Sequence, residues 1–169
     1  REFQVADGAT LMSTTDPSSH IGYANAAFIE ASGFAREELM GQPHNIVRHP
    51  DMPRCVFKLL WDTIGAGREI FAYVKNIAKN GDHYWVFAHV TPSVGPRGNI
   101  VGYHSNRRVP DGNAVKQVSD LYAQLLREER RHADRRTGLE ASHALLKNLL
   151  ASQGMAYDEF IFSLTPQEV

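Results

Sequence analysis

Cysteine is nearly missing from this 169-residue chain: Cys55 stands alone, so no intrachain disulfide can form and a reducing compartment is expected. Long apolar runs are missing too. Nothing approaches the roughly 18 consecutive apolar residues of a membrane span, and the first residues lack the apolar stretch of a secretory signal, so the expected location is the cytoplasm. There is no excess of one charge: 18 Lys and Arg against 19 Asp and Glu give a net charge of −1, which excludes electrostatic attraction to nucleic acid or an anionic membrane. The one arginine-dense run, Arg127 to Arg136, interleaves Glu128, Glu129 and Asp134, the pattern of a solvated helix face. Gly-x-Ser-x-Gly, a phosphate loop and Gly-x-Gly-x-x-Gly are all absent, and the carboxylates are scattered among lysines and arginines, so no enzyme is expected. The eight histidines have no paired spacing of the zinc-binding kind. His44 and His49 are separated by four residues and Pro50 adjoins them, so no metal site is expected either.

What is present has the composition of a folded domain, 43% hydrophobic and 22% charged, with length for one compact unit and a helical appendage. Val5 to Thr15 and the Tyr23 region read as strands around the turn cluster Asp16-Pro17-Ser18-Ser19. Asn25 is placed to cap a short helix from Ala26 to Ser32 that Gly33 stops, and Ala35 to Met40 makes a further turn or two before Gly41. Apolar residues Val56, Leu59, Leu60 and Ile64 recur at helical spacing, which predicts an amphipathic helix over Pro53 to Ile64. The period then changes. Glu69 to Ile77, Tyr84 to Pro92 and Asn99 to Val109 are β-rich runs separated by Asn-Gly and Pro-Arg-Gly turns, an antiparallel meander. Two strands, short helices and three strands give an α+β order with a five-stranded antiparallel sheet. After Pro110-Asp111-Gly112 a 3-4 stripe (Val115, Val118, Tyr122, Leu125, then Leu139, Leu146, Leu149) predicts a helical extension to about residue 152, with Gly138 the expected break. Its uncovered apolar stripe points to a homodimer. Residues 153–169 read as an apolar tail without helix pattern, which either docks on the domain or serves as a partner-recognition peptide.

One stretch is too polar for a plain helix or core strand. Pro43-His44-Asn45-Ile46-Val47-Arg48-His49-Pro50-Asp51-Met52-Pro53 sets two imidazoles, a guanidinium, a carboxamide and a carboxylate among three prolines, and it reads as a ligand-contacting segment. Taken in order with Asn25-Ala26-Ala27-Phe28, Ser32-Gly33-Phe34, Glu38-Leu39-Met40-Gly41-Gln42 and Lys79-Asn80-Gly81-Asp82-His83-Tyr84-Trp85, it resembles the PAS sensor domain of the bacterial aerotaxis-receptor family over about Thr10 to Val109. The resemblance implies a PAS domain at residues 1–110, non-covalent FAD, redox or oxygen sensing, and output through a chemoreceptor-type or kinase partner.

On that reading Arg48 is the candidate for the pyrophosphate, with His44 and His49 as donors to ribitol or phosphate oxygens and Asp51 held in the same string. Asn45 or Asn76 faces the pyrimidine edge, and Phe28, Trp61 and Trp85 wall the slot or stack on adenine. Asn25 joins the set, although helix capping accounts for it equally well, as a salt bridge within the loop does for Arg48 and Asp51. His104 and Asn106, on the last strand, are candidates to sense protonation of the ring on reduction. Two other readings stay open: a haem-binding gas sensor with His44 or His49 as axial ligand, and a ligand-free scaffold. A cysteinyl photoadduct is disfavoured, because Pro53-Arg54-Cys55-Val56-Phe57 lacks the Asn-Cys-Arg-Phe surroundings of light-sensing relatives.

Overall fold

The computed structural model describes residues 1–164. These divide into two compact units: residues 1–50 with 62–110, and residues 51–61 with 111–164.

The first unit is built on a five-stranded antiparallel sheet with strand order β2-β1-β5-β4-β3. The strands are β1 (Thr10–Thr15), β2 (Ile21–Ala24), β3 (Ile70–Ile77), β4 (His83–Val94) and β5 (Ile100–Arg108). Side chains alternate faces along each strand. Leu11, Tyr84 and Val86 therefore point to one side, where they form a core with Ile21, Ala24, Phe28, Ala31, Leu39 and Val47. Between β2 and β3 come α1 (Ala26–Ser32), α2 (Arg36–Leu39), a 3-10 turn at His44–Val47 and α3 (Arg54–Gly65). Asn25 caps α1 as its position suggests: Oδ1 accepts from Phe28 N and from Met12 N, and Nδ2 donates to the Thr10 carbonyl, which ties the helix start to β1. Gly33, at φ 70°, closes α1 in the left-handed conformation that suits a residue without Cβ.

The three meander strands and α3 fall where the sequence places them, to within a few residues. Three local readings are corrected. β1 starts at Thr10 instead of Val5, and the residues before it lie elsewhere: Phe3 N donates to the His83 carbonyl and the Phe3 ring meets Tyr84 edge-on. The second concerns the extension, α4 (Gly112–Arg130) and α5 (Arg135–Ser152), where the chain breaks before Asp134, which caps α5 through Thr137 N. Gly138 lies inside α5, where a Cβ would stand 2.5 Å from the Glu129 carbonyl, so the glycine serves close helix approach. Third, Tyr157–Leu164 is a helix, α6, that buries Ile161 and Leu164 and packs on α4.

Within the second unit Val118, Tyr122, Leu125 and Leu146 are buried in the single chain. Four of the seven residues of the stripe behind the homodimer expectation are thus covered, while Val115, Leu139 and Leu149 stay half-buried, so the apolar surface left for a dimer is smaller than the sequence pattern suggests. Among the described residues no helix is long and apolar enough to cross a membrane.

Candidate functional site

Register fixes which polar residues share the inner face of the sheet. Arg107 on β5 lies opposite Leu11 of β1 and Ala88 of β4, and Ser105 lies opposite Ser13 and Val90, so these side chains join the core side together with Tyr84 and Asn76. His104 and Asn106 are the intervening residues of β5 and face the other way, as does Trp85 on β4. The structure therefore separates these three from the inward cluster.

At the centre of that cluster is a cation. Arg107 is 2% exposed, and its Nη1 donates to His44 Nε2 at 3.0 Å and Ser105 Oγ at 2.9 Å, while Nη2 donates to Ser13 Oγ at 2.9 Å. All three acceptors are neutral. Among the described residues no carboxylate pairs with the guanidinium, its Nε has no hydrogen-bond partner, and burial brings its pKa down to about 10, with Tyr84 opposing the shift. A buried charge normally has an opposite charge beside it, because desolvation costs several kcal/mol otherwise. Here the compensation is a face of Phe28, whose ring centre lies 4.5 Å from the Arg107 Cζ.

His44 is brought to the same place by the 3-10 turn. Its ring stacks on Phe28 at 5.7 Å and receives hydrogen bonds at Nε2 from Arg107 and Ser13, so Nε2 carries no proton. Burial, reinforced by the nearby Arg107 and Arg48 charges, pushes its pKa down to about 3, and the imidazole is neutral at ordinary pH. Tyr84 completes the inner wall. Its hydroxyl lies by Asn76 and Arg107 with no well-formed hydrogen bond, and burial raises its pKa to about 12.

Arg48 follows the 3-10 turn and bridges by its backbone to Asn76 on β3, with a pKa lowered by burial. Phe28, His44, Arg48 and Asn76 are thus the sequence candidates the fold assembles. Others lie apart. Asn45 is exposed, and Asn25 spends its amide on capping. His49 reaches Lys75 through its backbone N–H and meets His83 edge-on at 6.2 Å. Asp51 and Trp61 belong to the second unit, where Asp51 approaches Arg130 at 3.7 Å. Sequence reasoning missed Ser13, Ser105, Arg107 and Tyr84. Strand alternation offered the signal, since a phase set by Tyr103 would have turned Ser105 and Arg107 inward and His104 and Asn106 outward.

Orphaned Arg107 Nε and Tyr84 hydroxyl groups, beside a neutral imidazole and an aromatic face, form a donor-rich, partly apolar lining suited to a flat ligand rich in acceptors. They do not resemble a metal centre: among the described residues no three His, Cys, Asp or Glu groups are placed to hold one.

An antiparallel sheet of this order, with short helices over one face and polar groups directed into the core, defines an α+β module of the PAS sensor-domain type, and residues 21–107 match the PAS fold family. The chain belongs to that family. It is 48% identical over 121 residues to the aerotaxis receptor of Escherichia coli strain K12, covering 72% of this chain and 24% of the relative. The nitrogen fixation regulatory protein of Klebsiella pneumoniae is 27% identical over 62% of this chain and 21% of that protein. The chain thus spans between a fifth and a quarter of these relatives' lengths. Among solved structures, a light-oxygen-voltage domain studied with a flavin analogue aligns at a TM-score of 0.59 and 21% identity, over 66% of this chain and 84% of that one. The light-state aureochrome-1 light-oxygen-voltage domain aligns at 0.55 and 24% identity, over 72% and 91%. These two show the fold alone.

Proposed function

We propose that this chain is a redox or oxygen sensor that holds FAD without a covalent bond on the inner face of the sheet, and that it signals by protein contacts to a chemotaxis or related partner of chemoreceptor or kinase type. The carrying observation is Arg107, a buried guanidinium with no carboxylate partner among the described residues and with a free donor. Flavin, when bound, supplies reversible electron transfer at a ring whose carbonyl and nitrogen edge accepts hydrogen bonds. Arg107 and Tyr84 would donate to that edge, Phe28 would face the ring, and Arg48 would meet phosphate. His44 holds Arg107 in place while neutral, so it adds no second positive charge. The similarity to the aerotaxis receptor supports the flavin and the pathway, and residues 1–110 are proposed as the sensor, 111–152 as relay and 153–169 as a tail. A cytoplasmic location is part of the same proposal.

Absorption of the purified chain tests the cofactor. A visible flavin spectrum, with FAD released on denaturation, is expected. A Soret band would mean haem instead, and protein absorption alone would favour a scaffold. Arg107→Met should keep the fold and lower flavin affinity roughly tenfold to a hundredfold, the worth of a charge-assisted hydrogen bond. Full flavin retention through dialysis would remove Arg107 from the site.

A further inference from the structure

Outside the site, one buried charged group stands out. Glu129, in the last turn of α4, is 4% exposed, and its carboxylate draws together three helices. Oε1 accepts from Arg54 N and Arg54 Nε, both at 3.1 Å, and Oε2 accepts from Cys55 N at 3.4 Å and from Ser142 Oγ of α5 at 2.9 Å. Arg54 and Cys55 open α3, and the residue before them is Pro53, which has no side-chain acceptor to cap the helix. The positive end of α3 is therefore capped by an acid more than seventy residues away. The Gly138 approach falls on the same residue, and the Asp51–Arg130 pair adds an exposed charge contact beside it.

We propose that Glu129 is a latch: its carboxylate holds the α4–α5 hairpin on the first turn of α3, and opening of the hairpin begins by losing these bonds while the sheet stays folded. Polar contacts concentrated on one side chain break together once the carboxylate leaves, because two backbone N–H groups lose their acceptor in one step and the Ser142 hydroxyl keeps only the Leu139 carbonyl. This inference does not depend on which cofactor the sensor holds.

The chain carries its own reporter. Cys55 is fully buried at the latch and is the sole cysteine, so the rate at which a maleimide labels it reads hairpin opening at one position. In the full chain, Glu129→Gln keeps size but removes the charge and places an amide donor toward Cys55 N or Ser142. Labelling should accelerate roughly tenfold to a hundredfold, and Ser142→Ala should accelerate it less. Hydrogen exchange in β1, β4 and β5 should not change in either variant. Unchanged labelling in Glu129→Gln would overturn the latch, and so would labelling that rises only in step with faster exchange of the sheet. If Glu129→Gln does not fold, Ser142→Ala decides by the same two readouts.

Discussion

Two buried bases set the character of the inner cluster, and they act oppositely toward protons. Arg107 keeps its charge despite burial, whereas His44 gives its up. The His44 effect has a definite sign. With a folded pKa of about 3 against an ordinary value of 6.5, the unfolded chain binds a proton across that window and the native chain does not, so stability falls as pH drops from about 6.5 toward 3. The slope from this one group is at most about 1.4 kcal/mol per pH unit. Urea denaturation of the wild type and of His44→Gln at several pH values isolates it, since the other titrating groups are common to both. Wild-type stability should fall more steeply than that of His44→Gln as pH drops below about 6.5, and parallel profiles would show that the imidazole titrates normally.

The β1–β5 pairing is the element that brings Ser13 to Arg107, and it depends on a glycine. A Cβ at Gly102 would stand 2.3 Å from the Thr15 carbonyl oxygen, where backbone on both sides leaves little room to yield. Gly102→Ala should cost about 1–3 kcal/mol, the range for overpacking a filled site, and should raise exchange of β1 and β5 amides. Gly22→Ala is the control on the neighbouring strand, because its nearest contact is 3.8 Å, to the Thr14 hydroxyl. Equal stability of the two variants would show that the sheet shifts to accept the methyl. The same strand pairing explains why only four of the twelve sequence candidates, Phe28, His44, Arg48 and Asn76, lie in the inward cluster. His44 and Arg48 stood out by the density of polar residues around them, while Ser105 and Arg107 lie in a strand where Asn106 and His104 look equally suitable until the register decides between them.

For the molecule as a whole, the extension bears on the monomer-or-dimer question. Most of its apolar stripe is covered within one chain, and α6 adds Ile161 and Leu164 to the buried surface while Phe162 stays about half exposed. Light scattering should therefore find a monomer at micromolar concentration, and a dimer there would require a surface other than the stripe. Amides around Ile161 should be protected in the isolated protein, as for a docked tail. Ile161→Ala should release α6 at a cost of about 2–5 kcal/mol to its docking, leaving the sheet's exchange unchanged. Coil-like exchange of α6 in the wild type would favour the partner-recognition peptide.

Local chemistry in the sequence determined the elements: the Asn25 cap, the Gly33 stop, the period of α3, the β-rich meander and its turns all act within a few residues of chain, so they can be read without the fold. The α+β order followed from them. The tertiary structure alone decided which polar groups share a face, because alternation reverses with a single step of register, and it alone joined groups distant in sequence. Arg107 meets Ser13 and His44 across the sheet, and Glu129 caps a helix whose own sequence offers Pro53 where an acceptor is needed. Burial did the rest, since an arginine without a carboxylate and a histidine without a proton are ordinary in water and become distinctive only where solvent is excluded.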